Sequence, residues 1–209
     1  MRRGLARAGA HASVAIHAMN VGPVAADAAA VALLAAGTVP PRVLVAGLCG
    51  GLSPALDVGD ALFYSSIVDP DGPAELTDAV LTARIADTVA HAQTGIRALS
   101  SSLVVVNSAE KAALARRYDV DAVDMESLAV LRRLARAGSS VAVLRVVSDC
   151  VDDDLPDLNA AVDRDGALSG RALFAASVRR PGAAVRMALN GSRALAALGQ
   201  ALEVAAQPR

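Results

Sequence analysis

Short apolar runs alternate along the chain with stretches in which apolar residues recur at helical spacing. The continuous apolar runs predict strands, some of them covered on both faces, at 13–18, 42–46, 61–68, 103–106 and 141–147. The helical spacing predicts helices at 2–10, 25–36, 76–93 and 110–117, one between 124 and 141, and two at the end of the chain that are split at Pro181-Gly182. Strands that alternate with helices predict an α/β fold with a mixed or parallel sheet.

Three clusters of glycine or polar residues lie beside predicted strands. They are Gly47-Leu48-Cys49-Gly50-Gly51-Leu52, Asp124-Met125-Glu126-Ser127 and Ser148-Asp149-Cys150. The last two are separated by one helix and one apolar strand, within the stretch 120–153. Because α/β proteins place their chemistry at the ends of neighbouring strands, these clusters are the first places to look for a site.

The glycine-rich segment 47–52 has an unusual composition but no common nucleotide-binding signature. Glycines directly after a buried strand let a ligand approach the backbone closely, because no Cβ stands in the way. The segment is neither a GxGxxG fingerprint nor a Walker A loop, which needs a following Lys and Ser or Thr. A tight turn from strand to loop explains it at least as well, so the segment alone assigns no function.

Two carboxylates in the other clusters are candidates for chemistry. Asp149 follows an apolar strand, where a partly buried carboxyl group can hold its proton and serve as a general acid. The alternative is a helix cap or a salt bridge with Arg145. Glu126 can accept two hydroxyl hydrogen bonds from a diol. The alternative is that Asp124 and Glu126 cap a helix and place charge in its first turn.

Composition and charge exclude several classes of protein. The 209 residues fit one domain, and an apolar content of 54% with 20% charged residues excludes disorder. A net charge of −1 gives no electrostatic footprint for nucleic acid. The apolar run 28–36 is far shorter than the roughly 20 residues of a membrane helix, so we predict no membrane span. Nineteen of the twenty basic residues are arginine, which we attribute to genomic base composition.

The cysteines and histidines show no metal or catalytic spacing. Cys49 and Cys150 lie far apart in the sequence, which favours two free thiols in a reducing cytosol over a disulfide, so we predict a cytoplasmic protein. No CxxC or His-rich spacing indicates zinc, and the acidic run 152–154 fits solvated loop charges, so we predict no metal. The three histidines, His11, His17 and His91, have no evident Ser or Cys partner and are interpreted as structural or surface residues.

Taken together and in order, the motifs resemble those of the purine nucleoside phosphorylase and methylthioadenosine nucleosidase superfamily. A strand that ends in GxxGGL is followed by VGD, by DMES and by a strand that ends in RxxSD, over about residues 20–155. Other segments are similar to the hopanoid-associated phosphorylase branch, whose members resemble adenosylhopane nucleosidases. They are SAEKAAL upstream of DAVDMES, SDCVDDDLPDLN, DGALSG and a helix broken at RRPG.

The resemblance implies a fold, a reaction and a set of partners. The fold is a single nucleoside phosphorylase-like α/β domain over 1–209, with a mixed, barrel-like sheet flanked by helices. The reaction is cleavage of the N-glycosidic bond of a purine nucleoside, with adenine expected as base and a substituent at the 5′ position. No cofactor is implied, although phosphate can be a co-substrate in place of water. A homodimer or higher homo-oligomer is expected. The alternative is a degenerate homologue that binds a nucleoside or purine without turnover.

The resemblance also implies roles for particular residues. Asp149 matches the catalytic aspartate that donates to N7 of the leaving base, Glu126 the glutamate that holds the ribose hydroxyls, and Met125 the methionine packed on the sugar. The residues that match base-binding positions are Leu48, Cys49, Gly50, Val105, Val106 and Ser148. Arg145 and Ser148 match positions that orient the aspartate. These roles agree with the chemistry, because a proton donor at the base is worth about 10²–10⁴-fold in rate.

The chain departs from the family pattern at two places. Family members commonly stack an aromatic ring on the base where this chain has Val105 and Val106. The hydrolases carry a glutamate just after a first strand to position water, whereas the first acidic residue here is Asp27. We therefore expect the family's first strand to be absent from 1–209. No arginine pair for phosphate stands out, and Arg2, Arg3 and Arg42 are the candidates.

Overall fold

The structure is a computed structural model that describes residues 14–37, 39–159 and 177–207. Its elements, in chain order, are α1 (Pro23–Ala35), β1 (Arg42–Gly51), β2 (Ala61–Val68), β3 (Glu75–Leu76), α2 (Ala79–Ala86), β4 (Gln93–Ser100), α3 (Ser108–Tyr118), β5 (Ala122–Asp124), α4 (Ser127–Arg136), β6 (Ser140–Asp149) and α5 (Pro181–Ala205). Within these ranges every helix is too short or too polar to cross a bilayer.

The strands form one mixed sheet that closes on itself. The order is β3-β2-β4-β5-β1-β6, and an additional pairing of β2 with β6 closes the ring. Parallel pairs join β1 to β6, β2 to β4 and β4 to β5, whereas β1–β5, β2–β3 and β2–β6 are antiparallel. The predicted α/β class with a mixed, barrel-like sheet flanked by helices is therefore confirmed.

The pairing of β1 with β6 brings two of the predicted clusters together. The two strands run parallel from Arg42 opposite Ser140 to Gly50 opposite Asp149, with an irregularity between Cys49 and Gly50. Gly50 also lies opposite Val123 of β5. The glycine segment, the end of β6 and the DMES stretch therefore meet at one edge of the barrel.

The core explains why β6 reads as a continuous apolar run. Every residue from Val141 to Val147 is at most 3% exposed. Val141, Val143 and Val147 belong to the cluster that also buries residues of α1 and α4. Leu144, on the opposite face, packs with Ala201 of α5. Helices on both faces leave no polar side to the strand, which is the expected arrangement for a buried strand.

Several boundaries differ from the predicted ones. The prediction for β2 matches its observed bounds, but β1 continues through Gly51, so most of the glycine segment is strand rather than turn. The predicted helix 76–93 is wrong, because this region holds β3, α2 and the start of β4. The predicted strand at 103–106 is wrong, and so is the part of 13–18 that the structure describes, since both lack a strand partner. The predicted helix 2–10 lies outside the described residues, and so does most of the segment before Pro181.

Candidate active site

A cavity of about 810 Å³ opens at the edge where β1, β5 and β6 meet. Its wall combines the irregular segment before α1, residues 43–50 of β1, the DMES stretch, the end of β6 and parts of the loops 103–105 and 155–158. Most of the predicted site residues line it, namely Leu48, Cys49, Gly50, Val105, Met125, Glu126, Arg145, Ser148 and Asp149. Val106 is not part of the described lining, and its carbonyl accepts a hydrogen bond from Leu155 N instead.

Asp149 is held by two neighbours. The Ser148 hydroxyl lies 2.8 Å from Asp149 Oδ1 and 3.1 Å from the carbonyl of Cys49. Its one hydrogen can go to only one of these acceptors at a time. On the other carboxylate oxygen, Lys111 Nζ lies 2.5 Å from Oδ2. The serine contact agrees with the predicted role of Ser148, whereas the lysine was not among the predicted site residues.

Lys111 is fully buried, which is unusual for a lysine. Its ammonium also donates to the carbonyls of Cys150 at 2.8 Å and Asp153 at 3.0 Å, so three oxygens satisfy it. One sequence signal points to this burial. Leu114, Ala115 and Tyr118 pack on the core, and Lys111 precedes them at helical spacing, so it stands in the apolar stripe of α3.

Glu126 is oriented by a backbone N–H and an arginine. Gly22 N donates to Glu126 Oε1 at 2.8 Å, and Arg145 Nη2 lies 3.3 Å from Oε2. Gly22 has a φ of 99°, a conformation that favours glycine, and this turn before α1 aims its N–H at the carboxylate. A carboxylate offers about four acceptor positions, so two stay available toward the cavity.

Arg145 lies against two carboxylates other than Asp149. Its Nε is 2.9 Å from Asp124 Oδ2, and Nη1 donates to the carbonyl of Leu48 at 3.1 Å. Burial lowers the pKa of Arg145, but the negative charges of Asp124 and Glu126 outweigh it and raise the pKa above its ordinary value. The resemblance implied that Arg145 orients Asp149, whereas the contacts of its guanidinium in the structure are with Asp124, Glu126, Ser127 and the Leu48 carbonyl.

The structure separates the roles of Asp124 and Glu126. Asp124 Oδ1 accepts from the backbone N–H of Ser127, the first residue of α4, and its other oxygen accepts from the Ser127 hydroxyl. Glu126 occupies the N-cap position of α4, yet its side chain makes no capping bond. The helix-cap interpretation therefore applies to Asp124, whereas Glu126 faces the cavity.

Of the remaining polar residues considered from the sequence, some line the cavity and others lie outside it. Both cysteines are free, and burial raises the pKa of Cys49 to about 12, so its thiol stays neutral beside the cavity. His17, interpreted from sequence as a structural or surface residue, lines the cavity. Asp27 lies on α1 and bonds to Arg133 instead of facing the cavity. Arg42 begins β1, outside the described lining. Arg2 and Arg3 lie outside the described residues.

Gly47 leaves the space that the Arg145 guanidinium fills. The two residues are paired across β1 and β6, and a Cβ added at Gly47 would overlap Arg145 Nη1. We expect Gly47→Ala to lower the free energy of unfolding by about 1–3 kcal/mol, the usual cost of overpacking. It should also lower any activity that depends on Glu126, since Arg145 must move. Denaturant unfolding measures the first effect.

Gly199→Ala is the matched control for this substitution. Gly199 lies in α5, and a Cβ there meets nothing within 4 Å. Alanine is the better helix former, so the control should gain about 0.5–1 kcal/mol. Equal stability of the two variants would contradict the close approach of Gly47 to Arg145.

The closed mixed sheet, with the carboxylates of Glu126 and Asp149 lining a cavity at its edge, defines a nucleoside phosphorylase-like α/β protein. The sequence profile described as the Phosphorylase superfamily matches residues 2–179. The chain belongs to the Phosphorylase superfamily, and the predicted enzyme family is thereby confirmed. No curated protein sequence matches the chain.

Solved structures with the same fold are distant in sequence. A futalosine hydrolase mutant of Helicobacter pylori is 24% identical, with a TM-score of 0.53, and the match covers 61% of this chain and 66% of that one. The H. pylori 5′-methylthioadenosine/S-adenosylhomocysteine nucleosidase bound to butyl-thio-DADMe-Immucillin-A is 19% identical over 88% of this chain and 76% of that one, with a TM-score of 0.58. The nucleosidase of Colwellia psychrerythraea in complex with adenine is 17% identical over 86% and 75%, with a TM-score of 0.56. The chain thus spans just under two thirds of the futalosine hydrolase.

Proposed function

We propose that this protein cleaves the N-glycosidic bond between a purine base and a 5′-substituted ribose. The observation that carries the proposal is that Asp149 and Glu126 line one cavity, each carboxylate fixed by its own partners. Adenine is the base we propose first, because a structure of the same fold, the Colwellia nucleosidase, holds it. The proposal assigns Asp149 to the base and Glu126 to the sugar.

Bond cleavage places opposite charges at the two ends of this cavity. As the bond breaks, the sugar gains oxocarbenium character and the purine gains negative charge, as at other glycosidic bonds. A proton delivered to the purine through Asp149 relieves the second charge. Glu126 binds the ribose hydroxyls with its two remaining acceptor positions, and Met125 lines the same part of the cavity. Both groups are held before substrate arrives, which lowers the entropic cost of reaching the reactive geometry.

The walls of the cavity support an apolar substituent at the 5′ position. Aliphatic side chains from two loops and α5 contribute to the lining, namely Leu103, Val104, Leu155, Leu158, Leu195 and Leu198. The described lining includes no Phe, Tyr or Trp, so the purine plane would be flanked by side chains such as Val105. A hydrophobic 5′ group gains free energy by leaving water for such a wall. This supports the hopanoid-associated branch, whose substrates we propose to carry an apolar 5′ group.

The described lining favours water over phosphate as the nucleophile. Arg145 is its one arginine, and two carboxylates already surround it. His17 is the remaining side chain of the described lining that can carry a positive charge. A phosphate dianion therefore finds little charge complementarity among the described residues.

Base release from a small panel of nucleosides tests the function. The panel holds adenosine, 5′-methylthioadenosine and an adenosine with a hydrophobic 5′ substituent, each assayed with and without inorganic phosphate. We expect adenine from the 5′-substituted nucleosides, fastest from the hydrophobic one and independent of phosphate. Chromatography separates free base from nucleoside. Absence of free base in every reaction would overturn the proposal.

Glu126→Gln tests the ribose contact. We expect kcat/KM to fall by about 10- to 100-fold, because hydrogen bonds to a charged group contribute about 1.5–3 kcal/mol. Glu203→Gln is the control, since Glu203 is an exposed residue of α5 outside the lining. Steady-state kinetics of both variants give the comparison. An unchanged kcat/KM in Glu126→Gln would remove Glu126 from the sugar site.

One observation favours a second function, binding without turnover. The carboxylates in the described lining are Asp124, Glu126 and Asp149, and each of them is already bonded to a neighbouring group. With Asp124 capping α4, Glu126 assigned to the sugar and Asp149 to the base, no further carboxylate of the described lining remains to activate water. Thermal stabilisation of the protein by adenine, with no base release from any nucleoside, would select this function.

A further inference from the structure

We infer that Lys111 and Asp149 act as one proton-holding pair, in which Lys111 supplies the proton that Asp149 passes to the departing purine. The inference rests on the proposed function, because it names the source of the proton for that reaction. Lys111 Nζ lies 2.5 Å from Asp149 Oδ2, yet Lys111 is not part of the described cavity lining. Lys111 therefore acts through Asp149 and is a positioning residue.

This geometry does not fit Asp149 as a neutral carboxylic acid that donates a proton of its own. An ammonium group in contact with a carboxylate stabilises the ionised form. An ionised carboxylate only accepts hydrogen bonds and has no proton to give. The ammonium has one, and it points at Oδ2. The pair as a whole therefore holds the proton that the reaction needs, and Asp149 is the route into the cavity.

Lys111 is the only lysine in the sequence. The other nineteen basic residues are arginine, which is the usual choice for buried ion pairs. Arginine is not deprotonated in proteins, whereas lysine can be. The lysine at this buried position beside Asp149 is thus a basic residue of the kind that a proton donor requires.

The charged groups around the pair do not draw the Lys111 ammonium away from Asp149. The neighbouring titratable groups include Cys49 of β1, Cys150, Asp153 and Asp154 of the loop after β6, Arg180 just before α5 and Arg186 of α5. Arg186 pairs with Asp153 and Arg180 lies 3.7 Å from Asp154, so each loop carboxylate has its own cation. Lys111 meets Asp153 through its backbone carbonyl. Among these carboxylates, Asp149 is the one whose side chain Lys111 contacts.

The proton balance of the step is simple. The Lys111 ammonium gives a proton to Asp149 Oδ2, and Asp149 gives a proton to N7 of the purine. The C1′–N9 bond breaks with its electron pair moving to the purine, which leaves as the neutral base. Water adds to the sugar cation and releases a proton. Asp149 reaches the cavity, so this proton returns through it to the neutral Lys111 amine.

The pH dependence of Lys111→Met tests the inference. Without the cation, Asp149 alone must carry the proton, and an isolated aspartic acid does so only in the acidic range. We expect the pH at which kcat/KM falls to half its maximum to move down by about two units or more. The variant should lose about 10²-fold or more near pH 8 and recover most of this loss near pH 5. Lys111→Arg, which keeps the charge but holds its proton, should lose activity at every pH.

Carbon-13 labelling of lysine gives a measurement that needs no activity. One lysine gives one side-chain Cε resonance, whose shift follows the charge of Lys111. We expect its titration in the wild type to coincide with the alkaline fall of kcat/KM. In Asp149→Asn the titration should move to lower pH, because the counter-charge is gone.

The outcomes separate this inference from the proposed function. If the wild type releases base and Lys111→Met keeps the wild-type pH profile, the inference is overturned and the function stands. If the wild type releases no base, the proposed function fails, and with it the delivery of a proton to a purine. In that case the proton-holding pair is still supported if the Lys111 resonance titrates at a different pH in Asp149→Asn than in the wild type. It is overturned if the two proteins give the same titration.

Discussion

Replacing Asp149 by asparagine is expected to lower kcat/KM for base release by about 10²–10⁴-fold, the contribution of a positioned proton donor. The same change should lower the free energy of unfolding by about 3–5 kcal/mol, because it leaves the fully buried Lys111 without its counter-charge. Base-release kinetics and denaturant unfolding measure the two effects separately.

The double variant Lys111→Met/Asp149→Asn separates catalysis from stability. Removing both partners of a buried ion pair costs much less than removing one, since no uncompensated charge is left. The double variant should therefore be more stable than Asp149→Asn alone, although Cys150 and Asp153 lose the lysine bonds to their carbonyls. Its base release should stay as low as that of the single variant. A double variant less stable than Asp149→Asn would contradict the ion-pair argument.

Two strands of the barrel, β2 and β6, were predictable because most of their own residues are apolar. Apart from Arg145, the residues from Val141 to Val147 are apolar on both faces, and β2 alternates little, so both strands were found from composition alone. The strand β4 was missed because its residues are mixed. Ile96 and Ala98 are buried in one side-chain cluster and Leu99 in another, and β4 pairs with β2 and β5, none of which a local pattern shows.

The apolar run 103–106 shows the opposite error. Its composition predicts a strand, but strands need a partner for their backbone groups. Here the side chain of Asn159 stands in for a neighbouring strand. Its Oδ1 accepts from Val104 N at 2.8 Å, and its Nδ2 donates to Val104 O at 3.0 Å. This contact joins residues that are 55 positions apart in the sequence, and a local pattern cannot reveal it.

The candidate site was predictable in its residue types but not in its pairings. The sequence placed Asp149 and Glu126 at strand ends, and the structure places both at one cavity. It could not show which carboxylate caps α4, because Asp124 and Glu126 both stand just before that helix and the direction of each side chain is visible only in the structure. It also missed Lys111, whose partner Asp149 lies 38 residues away. A lysine in an apolar helical stripe and an arginine in an apolar strand are the local signs of such buried pairs.

Arg145→Leu is expected to lower stability about as much as Asp149→Asn does. The substitution leaves Asp124, whose side chain is fully buried, and Glu126 without their shared cation. Breaking a buried pair in this way costs about 3–5 kcal/mol. It also removes one of the two groups that orient Glu126, so kcat/KM for base release should fall in protein that remains folded. Denaturant unfolding and kinetics below the unfolding midpoint measure both effects.

Arg133→Leu is the matched control, because it breaks an arginine–carboxylate pair at the surface. Arg133 Nε lies 2.6 Å from Asp27 Oδ1, closer than any contact of Arg145 with a carboxylate, but its side chain is half exposed. Exposed pairs contribute little to stability, because water already solvates both charges. The control should therefore change stability little and leave kcat/KM unaltered. Equal losses in the two variants would show that distance rather than burial governs these pairs, and that Arg145 has no special part in holding Glu126.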